Sequence, residues 1–354
     1  MEEIKHGKVL EFFAAANSYK GFVSYFDKLF PSEEYDKIYL LKGGPGTGKS
    51  SFMKAIYKAF INEKHTIELI YCSSDPRSLD GVIIASANKR VAILDSTSPH
   101  ERDANIPGAI DEIINLADHF DKGWLVANRG TIISKGKEKA KAYKTAYNYL
   151  SIAGCANNFI KETHLAFFNR LKAKSKAECI LQDIPRSEGG RISKRLVSSF
   201  GRLGDYRLNT LSTLPGRHIK ICGDPDMSSV FLALCFDTLK EREVNILHLP
   251  SALDPDSTDC IHLHDFSLTL SREIDGDVNA EDYFEMSKID LDKIKKAKQM
   301  REDALIEAKR WFGIASDIHF SLEEIYGQAM NFYKNESLIK EKIREIGIIL
   351  ENDR

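Results

Sequence analysis

No two of the six cysteines form a CxxC pair, and no Cys/His group has zinc-site spacing. The expected reading is buried, reduced thiols in a cytoplasmic protein. No run approaches 18 uninterrupted apolar residues, so no membrane span is expected. The opening "MEEIKHGKVLEFFAAANSYK" is acidic and short of apolar run, unlike a leader peptide. Charge of one sign is also lacking. The formal net charge is −2, which disfavours nucleic acid and anionic membrane as partners. With 43% hydrophobic and 29% charged residues the balance is globular, and 354 residues suit about two domains.

What is present is a phosphate motif. "KIYLLKGGPGTGKSSFMKAIYKAF" (37–60) contains GxxxxGK[ST] in the required setting. "IYLL" reads as a buried strand, and Phe52, Ile56 and Phe60 recur at helical spacing. Gly43, Gly44, Pro45, Gly46, Thr47, Gly48, Lys49, Ser50 and Ser51 are therefore the expected nucleotide-binding residues. Glycines let the main chain approach phosphate oxygens. Successive N–H groups and a helix N-terminus then make an anion site. Lys49 is expected to reach the β- and γ-phosphates, and Ser50 to ligate Mg²⁺. "RVAILDSTSPH" (90–100) supplies the second element, an apolar strand ending in Asp95. Lys49 and Asp95 are the expected catalytic pair, and Ser50 and Asp95 the expected metal residues, with ATP and Mg²⁺ as cofactors.

Many ATP-driven machines carry Glu directly after this Asp. Here Ser96 follows, and Glu101 lies six positions past Asp95. A fast motor-type ATPase is thereby disfavoured. Slow hydrolysis is expected, with a nucleotide or small-molecule kinase, or a nucleotide-gated scaffold, as alternatives. No clustered arginine lid is evident among Arg77, Arg90, Arg102 and Arg129. Thr97 and His100 could face the γ-phosphate or a substrate, and His100 reads equally well as a packing residue. A small-molecule acceptor or an unidentified protein partner is left open.

The second half repeats the first. "KGGPGTGKSSFMKAI" falls on "CGDPDMSSVFLALCF" at a shift of 180. "SSDPRSLDGV" (73–82) falls on "ALDPDSTDCI" (252–261), and "YNYLSIAGCANNFIKETHLAFFN" (147–169) on 309–331. Colinear matches imply a tandem duplication. In the repeat, Gly46, Gly48, Lys49 and Ser50 become Asp226, Ser228, Ser229 and Val230, while Asp95 falls near Ser271. Asp224 and Asp226 would repel a triphosphate. Asp75, Pro76 and Asp80 survive as Asp254, Pro255 and Asp259, which favours turn-forming roles over catalytic ones.

The expected fold is α/β: a duplicated P-loop NTPase fold, three-layer α/β/α with a mainly parallel sheet. Each copy ends in a helical arm. The boundary lies within "DIPRSEGGRISK" (183–194), giving units 1–185 and 186–354. The first arm is lysine-rich with interleaved tyrosines, read as a solvated helix whose aromatic stripe packs inward. "GFVSYFD" (21–27), "IYLLKGGPGTGKSSFMK" (38–54), "YCSSDPRSLDGV" (71–82) and "AILDSTSPH" (92–100) resemble a family of bacterial tandem P-loop proteins. Its members are labelled ATPase, ATP-binding protein or nucleotide kinase. The resemblance covers nearly the whole chain and implies a nucleotide site at 43–51. Many relatives keep a second Gly-Lys-Ser/Thr loop, where this chain has "GDPDMSS".

Overall fold

A computed structural model describes residues 8–62 and 64–351. The leader reading of the opening stretch rests partly on residues 1–7, outside that range. No described helix is long and apolar enough to cross a membrane.

The first copy begins with β1 (Val9–Phe13), the hairpin β2 (Ala15–Ser18) and β3 (Gly21–Ser24), and the short helix α1 (Phe26–Leu29). Then come β4 (Lys37–Lys42), α2 (Lys49–Ala59), β5 (Thr66–Tyr71), β6 (Leu79–Ala85), β7 (Arg90–Asp95) and β8 (Asp111–Asn115). Its arm is α3 (Lys122–Ala127), α4 (Arg129–Leu165) and α5 (Arg170–Ile180). The second copy repeats the plan: β9 (Ile192–Lys194), the hairpin β10 (Ser198–Gly201) and β11 (Gly204–Arg207), β12 (Arg217–Cys222) and α6 (Pro225–Glu241). It continues through β13 (Ile246–Pro250), β14 (Thr258–Leu263), β15 (Leu268–Arg272) and β16 (Val278–Asn279), with α7 (Leu291–Gln328) and α8 (Phe332–Glu351) as its arm.

The two six-stranded sheets run β1-β5-β6-β7-β4-β8 and β9-β13-β14-β15-β12-β16, the same order in both copies. Each sheet is mixed but mainly parallel: β6 in the first and β14 in the second run against the other five strands. Strands β5, β6 and β7 run antiparallel in sequence, and so do β13, β14 and β15. The reason is the connections. Residues 72–78 and 86–89 are too short for a crossover, so the chain must turn back. The remaining pairs, including β4 with β7 and β8, are parallel.

The three-layer expectation needs correction. Alternate side chains of β4 enter different cores: Tyr39 and Leu41 face α2, while Ile38 and Leu40 face the other copy. That second core joins Ile70 and Leu94 to Leu249, Cys260 and Leu211. Helices therefore cover one face of each sheet, and the other faces meet across the middle.

Helices α4 and α7 pack along each other antiparallel. Lys135 meets Ser321, Lys139 meets His319, and Asn157 meets Arg301. The pairing carries each arm across to the opposite copy. Ile160, Ala173, Ala177 and Leu181 of the first arm complete the core of the second sheet. Met330, Ile346 and Leu350 of the second arm complete the core of the first. Residues 183–191 lead from the first arm into β9, and each packed unit draws on both stretches of chain.

Candidate functional site

Strand β4 delivers the chain to the loop 43–48, and α2 starts at Lys49. Gly46 and Gly48 hold φ values of +72° and +83°, the left-handed region that side chains disfavour. Gly48 is the N-cap of α2 and offers no side-chain acceptor to the first-turn N–H groups. Those donors are left for an external anion. Lys49 Nζ donates to the Gly43 and Gly44 carbonyls, both at 3.0 Å, and lies 3.6 Å from Asp95 Oδ2. Thr47 Oγ1 donates back to Gly44 O at 2.9 Å and braces the turn. Ser50 Oγ accepts the Leu79 N–H at 3.0 Å. Ser51 is exposed, and Pro45 is half-buried on the loop.

Asp95 ends β7 opposite Leu41 of β4, so direct strand pairing brings it to the loop. The Thr97 N–H donates to Asp95 Oδ1 at 2.9 Å. Burial pushes the Asp95 carboxyl up; Lys49 opposes this, and Asp80 adds to it. His100 is buried. Its Nε2 lies 3.1 Å from Asp80 Oδ2, and its ring packs on Phe26 at 4.4 Å. Burial alone would lower this imidazole, but the Asp80 carboxylate outweighs it and raises it. His100 is thus committed to Asp80 and packing. Asp80 is no turn former: it sits buried within β6. Asp75 does form a turn, accepting the Arg77 N–H and pairing with the Arg77 guanidinium. Glu101 is exposed.

Several groups at the loop come from the other copy's arm, and the motif could not reveal them. A Cβ on Gly46 would lie 2.5 Å from the Glu323 carbonyl of α7, and one on Gly44 would touch Tyr326. Asn335 of α8 is buried and donates to Thr47 O at 2.9 Å. The Glu323 carboxyl is pushed up by burial; Lys49 and the Gly46 N–H beside it pull the other way. His319 falls to about 4 through burial, with Lys139 and Lys49 adding to the shift. Arg202, at the β10–β11 turn, lays its guanidinium 4.9 Å from the Phe320 ring centre. Arg202 Nη1 has no hydrogen-bond partner among the described residues. The inward aromatic stripe of α4 holds: Tyr143 and Tyr147 pack on Phe312. Lys135 and Lys139 of the same helix also turn inward, to Ser321 and His319.

The second loop is closed by its own side chains. Asp224 caps α6, its carboxylate accepting the Asp226 and Met227 N–H groups. The donors that α2 keeps free are consumed here. Lys298 pairs with Asp224, and Arg301 with Asp226, so these carboxylates are neutralised rather than left to repel a phosphate. Strand register also corrects the counterpart of Asp95. Leu41 pairs with Asp95 and Ile221 with Arg272, so Arg272, not Ser271, occupies that place.

Among the described residues no three or more His, Cys, Asp or Glu side chains are grouped to hold a metal. Four of the six cysteines are not buried: Cys155 and Cys179 are exposed, Cys72 and Cys222 half-buried. Comparison with protein-family models, curated proteins and solved structures gives no match.

Proposed function

We propose that the first copy binds ATP with Mg²⁺ at 43–51 and hydrolyses it slowly, within a duplicated P-loop fold. The observation that carries this reading is the contrast between two helix N-termini. Helix α2 has a glycine cap and unused N–H groups beside Lys49, whereas α6 is capped by its own Asp224. A phosphate chain fits the former: donors for its oxygens, a lysine for its charge, and glycines that allow close approach.

Ser50 and Asp95 would hold Mg²⁺, with phosphate oxygens and water as the remaining ligands. Mg²⁺ in that place neutralises charge on the phosphate oxygens. Lys49, 3.6 Å from Asp95, bridges the loop carbonyls and the carboxylate and is positioned to exchange them for phosphate. Thr97 fixes the carboxylate's orientation. The cytoplasm supplies the nucleotide in this reading.

The contact of residues 323–335 with the loop favours a second reading, in which bound nucleotide shifts the arm and presents a surface to a partner. Equilibrium ATP binding to the full chain and to Lys49→Ala tests the proposal. Lys49 faces the loop rather than a core, so the variant should fold and lose detectable binding. Unchanged affinity would falsify the nucleotide site. Phosphate release, without and then with nucleotide or small-molecule acceptors, separates hydrolysis from kinase activity.

A further inference from the structure

Helices α4 and α7 are copies of one arm, and they pack as near two-fold equivalents. The shift that lays 147–169 on 309–331 also lays Ala142, Ala146 and Ala153 on Ala304, Ala308 and Ala315, and all six are buried. It lays Lys139 on Arg301 and Asn157 on His319. The contacts follow the same pairing. Arg301 Nη1 donates to Asn157 Oδ1 at 2.6 Å, and Lys139 Nζ lies 3.5 Å from His319 Nδ1. At the arm ends Phe168 bridges Phe284, and its counterpart Met330 bridges Phe120. Each arm thus holds one cation in an equivalent place beside the loop of its own copy.

In the second copy that cation has an anion. Arg301 holds the Asp226 carboxylate, and Asp226 stands where the first loop has Gly46. The second loop supplies its own stand-ins for phosphate oxygens. Asp224 takes the α6 N–H groups, and Asp226 takes the arm's guanidinium. In the first copy Gly46 has no side chain to answer Lys139. The neighbour of the ammonium is instead His319, an imidazole that burial brings down to about 4. Burial also pulls Lys139 down, and the Glu323 charge opposes this. Glu323 lies beside the Gly46 N–H and feels both Lys49 and Lys139, so the two ammonium groups flank one spot at the loop.

We propose that Lys139 is a phosphate-binding residue of the first loop, which closes on the terminal phosphate and makes the site prefer a nucleoside triphosphate to a diphosphate. This rests on the nucleotide site at 43–51. The α2 N–H groups and Lys49 serve the phosphates next to the helix. Gly46 lies on the loop ahead of α2, so a cation beside it meets the outer end of the phosphate chain. A diphosphate ends short of that cation.

Calorimetric titration of the full chain with ATP and with ADP, each with Mg²⁺ at constant ionic strength, tests the proposal. The wild-type chain should bind ATP about tenfold or more tightly than ADP. Lys139→Gln should weaken ATP about tenfold and ADP less than about threefold, since one charge-assisted bond to the terminal phosphate is lost. Lys139→Arg, which reproduces the cation of the second copy, should restore most of the preference. Unchanged ATP affinity in Lys139→Gln, or an equal loss for both nucleotides, overturns the proposal. So does a loss that disappears in a Glu323→Gln background, because Lys139 would then act through that carboxylate. A wild-type chain that binds neither nucleotide removes the site at 43–51 and this role together. A chain that binds ATP but ignores the Lys139 substitutions keeps the site and removes only the role.

Discussion

Arg301 grips Asp226 with both terminal nitrogens, at 2.8 and 3.2 Å, and also donates to Asn157. This fork places a guanidinium of the α4–α7 pair over the loop that corresponds to 43–48 of the first copy. Equilibrium binding should therefore saturate at one ATP per chain. A second equivalent at 223–230, by titration or in a crystal, would contradict the occlusion described here.

Asp95→Asn should keep part of the nucleotide affinity and lose most Mg²⁺-dependent turnover, about tenfold or more. The amide preserves the shape that Thr97 holds but removes the charge beside Lys49. Turnover measured across a magnesium titration checks this, and a wild-type rate at saturating metal would remove Asp95 from the mechanism.

Glu323→Gln should tighten ATP binding by about threefold to tenfold, because a like charge near the phosphates is removed at partly screened range. Burial already pushes this carboxyl up, and Lys49 is the strongest influence opposing that rise. Titration at low and high salt is the check. An affinity that falls in the variant would mean that Glu323 assists the nucleotide instead.

The His100–Asp80 pair gives stability a pH dependence with a definite sign. The folded imidazole is raised above its ordinary value of 6.5. Its contribution is complete below that value and is lost as pH rises through the folded value. Denaturant melts should show the wild-type chain losing stability upward from about pH 6.5, relative to His100→Gln. Parallel curves for the two chains would exclude the coupling.

Ile346→Ala should cost about 2–4 kcal/mol, the range for a fully buried aliphatic truncation. Ile346 is 0% exposed and packs in the core of the first sheet, although it lies in the last helix of the second arm. Hydrogen exchange should report the loss in β4 and α2. If the weakening is confined to α8, the exchanged packing has been misassigned.

Local physics was legible in the sequence wherever chemistry and chain continuity coincide. The strand–loop–helix around Lys49 and the strand ending at Asp95 follow from apolar runs, glycines and helical spacing. The repeat was legible too, since a matching order of short similarities demands matching folds. The reversed sense of β6 was not. Nothing in the apolar runs of β5, β6 and β7 distinguishes parallel from antiparallel; only the shortness of 72–78 and 86–89 does so. The counterpart of Asp95 was misplaced by one residue because register is set by hydrogen bonding between strands, not by alignment. Glu323, Tyr326 and Asn335 were invisible as site residues, since their approach to the loop depends on a helix crossing to the other copy.

The exchange of arms also orders events during synthesis. The first sheet leaves the ribosome early, but Ile346 and Leu350, which close its helical face, emerge near the far end of the described chain. At about 5–20 residues per second, roughly 15–60 s separate β4 from the helix that seals it. Through that interval Tyr39, Leu41 and Met53 lack part of their cover, and the loop has neither Glu323 nor Asn335 against it. The nascent first half thus keeps part of that apolar face exposed until α8 arrives.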